Sequence, residues 1–137
     1  MATKAFINNE VQKRMKAEME QTGFKAFDMG YANGYVAVSP DHPLHGLNYD
    51  KVYDVQDVSV WGGLTFSEKK ADCQWDGSCV EMIGGGSFDD IPGDWWVFGF
   101  DTMHFNDGPE HDREWCIRET RQLQLQLDAI KNKEATL

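Results

Sequence analysis

Four histidines stand in the chain, and three lie in polar loops beside carboxylates. His42 and His45 sit in Asp41-His42-Pro43-Leu44-His45-Gly46. His104 sits in Asp101-Thr102-Met103-His104-Phe105-Asn106-Asp107. Imidazole and carboxylate together can hold a divalent cation. The same pair can exchange protons near neutral pH. Pro43 breaks the His-x-x-His pair, so the two rings cannot share one face of a helix. Spacings like that of Asp101 and His104 are common by chance. The competing reading is that His42 and His104 hydrogen-bond loop backbone. No catalytic residue, metal or cofactor is therefore expected, and no tightly bound zinc. His42, His45, Asp101 and His104 are kept as candidate binding residues.

Nucleophile signatures are missing. No Gly-x-Ser-x-Gly elbow occurs, and neither a phosphate loop nor a dinucleotide fingerprint is present. The run Gly84-Gly85-Gly86 has no Lys after it and reads as a flexible loop. Cys73, Cys79 and Cys116 are three in number with no secretion signal, which argues against a disulfide framework. Cys73 and Cys79 flank a Trp75-Asp76-Gly77-Ser78 turn and can face each other across a hairpin. All three read as thiols in a reducing cytosol.

Aromatic residues give the stronger signal. Trp61, Trp75, Trp95, Trp96, Phe98, Phe100 and Phe105 fall within 45 residues. Half of a Trp-Trp strand must point away from one core, so Trp61, Trp95 and Trp96 are candidates to stack a base or anchor a partner. The competing reading is that elements on both faces cover these rings. Charge is the second strong signal. The net charge is −10. Residues 26–114 carry four Lys/Arg against seventeen Asp/Glu, a net −13, while the two ends are slightly basic. Asp50, Asp54, Asp57, Asp72, Asp76, Asp89, Asp90 and Asp94 fall mostly in loops or at strand ends. An acidic body argues against direct nucleic-acid binding, which needs a basic footprint. It fits a basic protein partner or mimicry of a polyanion. It also fits plain solubility.

The elements that must position these residues form one α+β domain over 1–137. With 137 residues, the chain can bury a core without staples. Ile7, Val11, Met15 and Met19 recur every four residues, predicting a helix from about Asn8 to Thr22, capped by Asn8 or Asn9 and stopped by Gly23. Tyr35–Val38, Val58–Phe66, Val80–Ile83 and Trp95–Phe100 read as strands, with a short edge piece at Val52–Val55. Gly62-Gly63 reads as a bulge or as a close approach of another group. Trp95–Phe100 is apolar on both faces, so it should be interior. No helical crossover of useful length joins the strands, so the sheet of four to six strands should be mainly antiparallel. A second helix is predicted over about Gly108–Asn132, with Asp107 and Glu110 as a capping box. Its seam is Cys116, Thr120, Leu123, Leu127 and Ile130. Leu125 lies off that seam and hints at an oligomer contact, leaving monomer and homodimer both open. No apolar run approaches the roughly 20 residues that span a bilayer. The first six residues have no signal-peptide character, so the chain is expected to stay in the cytoplasm where it is made.

Three runs resemble a family of small, uncharacterised proteins encoded by bacteriophages and prophages, mainly of Gram-positive bacteria. They are Gly34–Val38 through His42-Pro43-Leu44-His45-Gly46, then Val60–Phe66, then Trp95–His104. The likeness covers roughly residues 30–107 and the helix that follows. One departure matters: where that pattern commonly has His, this chain has Trp61, so chemistry built on that imidazole is lost here. The resemblance implies a phage origin and action in the host bacterial cytoplasm. Small accessory phage proteins often bind and disable host machinery, so the leading expectation is a non-enzymatic inhibitor of a host defence factor, for example a CRISPR–Cas component, bound through an acidic surface that includes Asp89 and Asp90. The expected partner is a basic or nucleic-acid-binding host protein, with no membrane. The alternatives are a sponge for a small nucleotide signal or similar ligand, with the aromatics, Gly62-Gly63 and the His/Asp loops as its pocket and Arg118 and Arg121 as its phosphate-binding cations, and a metal-dependent hydrolase using His42, His45, Asp101 and His104.

Overall fold

A computed structural model describes residues 3–23, 32–101 and 113–130. Its frame is a five-stranded sheet made from Thr3–Asn8 (β1), Asn33–Val38 (β2), Phe66–Lys69 (β3), Val80–Ile83 (β4) and Trp96–Phe100 (β5). The strand order is β3-β5-β2-β1-β4, and every pairing is antiparallel. The helices are Glu10–Gln21 (α1), the single turn Tyr49–Val52 (α2) and Arg113–Ala129 (α3). The α+β class, the antiparallel sheet and the two flanking helices are as the sequence predicts.

β5 lies between β3 and β2, so the Trp-rich run is interior. Alternation along the strands sorts side chains onto two faces. Ala5, Val36, Val38, Phe98 and Phe100 pack beneath α3, against Leu123 and Leu127. Cys116, Thr120, Leu123, Leu127 and Ile130 of the predicted seam are all buried, and the seam rests on the sheet rather than on another helix. Leu125 is 61% exposed, as its off-seam position requires. α3 comes so close that a Cβ on Gly34 would overlap Thr120 Oγ1 and the Phe100 ring.

Several sequence expectations are corrected. Ile7 belongs to β1, a strand the helical stripe concealed, and α1 starts only at Glu10. The stripe docks only in part: Val11 is exposed, Met15 and Met19 are half-buried, and Gln12 is the buried residue of α1. Gln12 Nε2 donates to Asn33 Oδ1 at 2.7 Å, and Asn33 Nδ2 donates to Tyr35 Oη at 3.3 Å, so a polar relay ties α1 to β2. Asn8 Oδ1 accepts the Glu10 N–H at 2.9 Å, and Gly23 ends the helix with a φ of 82°. Val52–Val55 is the end of α2 and a turn, not an edge strand.

Residues 58–65 form no strand either. Gly62 and Gly63 take φ values of 72° and 81° in a turn, which left-handed geometry suits to glycine. The backbone before that turn bonds to side chains of α3 instead. Ser59 N–H donates to Gln126 Oε1, Gln126 Nε2 donates to Ser59 O, and Trp61 N–H donates to Glu119 Oε1, each at 2.7 Å. The Cys73 and Cys79 region is two short 3-10 turns rather than a hairpin, and both cysteines are free. The predicted Asp107–Glu110 cap lies outside the described residues. Among those residues, no helix is long and apolar enough to cross a membrane.

Candidate functional site

The face of the sheet opposite α3 carries a row of rings. Register aligns Phe66, Gly99, Tyr35, Phe6 and Met82 across β3, β5, β2, β1 and β4. Gly99 is the gap in this row: a Cβ there would overlap the Tyr35 ring. Tyr35 fills the gap and meets Phe66 edge-on at 5.4 Å and Phe6 in a stack at 5.3 Å. Trp75 lies over the row, with ring centroids 4.7 Å from Tyr35, 5.5 Å from Phe66, 5.9 Å from Phe6 and 5.8 Å from Phe88. Such pairs add about 0.5–1.5 kcal/mol each beyond area burial. Burial raises the Tyr35 phenol from its ordinary 10.0 to about 12, so it stays neutral and acts as packing.

Among the described residues, no α-helix packs on this face. Two loops do, and short caps hold them. Asp76 Oδ1 accepts the Ser78 N–H at 3.0 Å and the Ser78 hydroxyl at 2.8 Å; these bonds hold its carboxyl below the usual range. Ser87 Oγ accepts the Asp89 N–H at 3.3 Å. Lys70 N–H to Trp95 O at 2.8 Å and Ala71 N–H to Gly93 O at 3.0 Å tie the loops together. Their aspartates, Asp72, Asp76, Asp89, Asp90 and Asp94, are all exposed, while Trp75, Phe88 and Trp95 beneath them are half-buried. Lys70 Nζ lies 4.6 Å from the centroid of the Phe88 ring. A second acidic group, Asp50, Asp54 and Asp57, is also exposed. It belongs to the other layer, where Val52 packs beside Val36 and Leu123.

Among the described residues, the predicted site residues do not gather in one place. His42 is buried in the α3 layer. Its Nε2 bonds Leu127 O at 2.8 Å and its Nδ1 accepts the Leu44 N–H at 3.0 Å. Both nitrogens are thereby used, and the pattern requires the neutral Nε2–H tautomer. Burial holds its pKa below the ordinary 6.5. His45 Nε2 bonds Asp94 O at 2.6 Å and its ring leans on Trp96 at 6.1 Å. Trp96 donates from Nε1 to Leu47 O at 2.8 Å and packs on the α3 side, whereas Trp95 packs with Trp75 on the other. Trp61 is 45% exposed and meets Trp115 of α3 edge-on at 6.0 Å. Asp89 and Asp90 share one 3-10 turn. Asp101 is half-buried at the end of β5. His104 lies outside the described residues.

Sequence reasoning missed Tyr35, Phe6, Phe88 and Lys70, and treated Trp75 as one ring among several. The available signal was that Gly99 interrupts an apolar strand, since a strand glycine often marks close approach of a neighbour. Burial lifts the Cys73 and Cys116 thiols to about 12, so neither is a thiolate nucleophile at neutral pH. Among the described residues, no group of three or more His, Cys, Asp or Glu could hold a metal ion. Comparison with protein-family models, curated proteins and solved structures returned no match.

Proposed function

We propose that the chain is a non-enzymatic binding protein that inhibits a host defence factor by covering a basic, nucleic-acid-binding surface on it. The observation that carries this reading is that all eight aspartates from Asp50 to Asp94 are exposed, on a chain of net charge −10. A partner that grips phosphates presents the complementary field. The phage and host-defence setting rests on the likeness of the three sequence motifs. The nucleotide-sponge alternative draws less support, because the residues meant to form its pocket are divided: Trp95 and Trp96 pack on opposite faces of the sheet, and His42 has both ring nitrogens engaged. The hydrolase alternative loses His42, whose ring nitrogens are both engaged.

The test is capture of a partner from bacterial host lysate, followed by association-rate measurements on the purified pair. Electrostatic steering makes association fast at low salt and slower as screening reaches about 8 Å at physiological ionic strength. Asp89→Lys with Asp90→Lys should slow association while leaving the midpoint of unfolding nearly unchanged, since exposed charges contribute little to stability. A rate that ignores both salt and charge reversal would refute the proposal.

A further inference from the structure

We infer that the loop-covered face is a cradle for the guanidinium and ammonium groups of a basic polypeptide segment, and that Lys70 occupies this cradle in the free protein. The inference rests on the acidic-surface reading above and places the recognition on one layer of the molecule. Its first support is juxtaposition. Asp76 follows Trp75, and Asp89 and Asp90 follow Phe88, so each of these half-buried rings has an exposed carboxylate beside it in the chain. A flat guanidinium can stack on a ring face while its edge N–H groups reach a neighbouring carboxylate. An ammonium can satisfy the ring but offers no such fork.

The second support is that the surface already holds a cation. Lys70 Nζ sits over the Phe88 ring at 4.6 Å, within the roughly 6 Å at which the ring quadrupole attracts a positive charge. Lys70 reaches this position from a 3-10 turn whose backbone is fixed to Trp95 and Gly93. The ammonium is thus an occupant of the ring face supplied by the chain itself, and an incoming arginine must displace it. Phosphate-bearing partners are disfavoured, because five exposed aspartates surround the same loops. A basic polypeptide fits both the charge and the rings.

The test uses the full chain and two fluorescently labelled peptides of equal length, one rich in arginine and one rich in lysine, with binding followed by anisotropy. Lys70→Ala and Lys69→Ala remove the same charge from adjacent positions, but only Lys70 lies over a ring. Lys70→Ala should bind the arginine peptide about two- to fivefold more tightly than Lys69→Ala does, the gain expected from freeing one exposed cation–π site. The arginine peptide should also bind more tightly than the lysine peptide. Equal affinities of the two lysine variants overturn the cradle. If salt-sensitive binding then persists and Asp89→Lys/Asp90→Lys weakens it no more than Asp54→Lys/Asp57→Lys, the acidic-surface reading survives without the cradle. Peptide binding that is absent or indifferent to salt removes both.

Discussion

Replacing Gly99 by Ala should destabilise the protein through one ring. Gly99 has no positive φ, so alanine can adopt its backbone. On propensity alone the change would gain about 0.5–1 kcal/mol by restricting the unfolded chain. The added methyl, however, would overlap Tyr35 Cδ1, lie 2.6 Å from Tyr35 Cε1 and lie 3.1 Å from Gly34 O. Carbon atoms need about 3.5–4.0 Å, so the ring must retreat by about 1 Å. It has nowhere to go, because Phe6, Phe66 and Trp75 hold it at 5.3, 5.4 and 4.7 Å. Overpacking of this kind costs about 1–3 kcal/mol, and the packed surroundings place Gly99→Ala toward the upper end. In a Tyr35→Val background the ring atoms are gone and only the 3.1 Å contact to Gly34 O remains, so the same substitution should be close to neutral. The cycle should therefore give a coupling of about 2–3 kcal/mol. Urea unfolding followed by tryptophan fluorescence measures it, as a shift of midpoint at constant slope. An equal cost in both backgrounds would show that the backbone at position 99, and not the Tyr35 ring, sets the requirement for glycine.

Two further outcomes are expected. His42 is neutral in the fold with its pKa depressed, so its contribution to stability is complete above about pH 6.5 and is lost as pH falls through the lower folded value, at up to about 1.4 kcal/mol per pH unit within that window. His42→Gln should flatten the dependence of stability on pH between 7.5 and 5.5, roughly, and parallel curves for the two proteins would exclude the imidazole as its source. Phe98 is fully buried on the interior strand β5, and Phe98→Ala should cost about 3–5 kcal/mol by urea unfolding, against less than 1 kcal/mol if that strand lay at an exposed edge.

Periodicity recovered the elements whose apolar faces are paired with their neighbours. The seam of α3 reads correctly because each of its residues lands on the sheet. The same reasoning failed where the partner was polar or distant. Val58–Trp61 alternates like a strand, yet its backbone bonds to Gln126 and Glu119 of α3, a pairing that no local pattern encodes. β1 escaped notice because Ile7 fits the phase of the helical stripe as well as that of the strand. On α1 itself the stripe is no more than half-buried, and a polar relay through Gln12 and Asn33 helps to anchor the helix. Trp75 stands in what reads as a turn. Its place at the centre of the rings follows from the missing Cβ of Gly99, which lies 24 positions further along.

The aspartates were legible in the sequence, and their exposure follows from the fold without any function. The inner strands β1, β2 and β5 are buried on both faces, so they have little room for charge. Most of the aspartates between Asp50 and Asp94 accordingly sit in the connections, while glutamates take exposed or half-buried places on the helices and outer strands. Acidity sets the sign of the field that a partner must match. The informative feature is which atoms the carboxylates surround. On one layer they edge half-buried rings, one of which already has an ammonium over its face. A surface that served solubility alone would have no reason to favour arginine over lysine, or Lys70→Ala over Lys69→Ala. Those two comparisons separate recognition from mere charge, and synthetic peptides suffice for both before any partner has been captured.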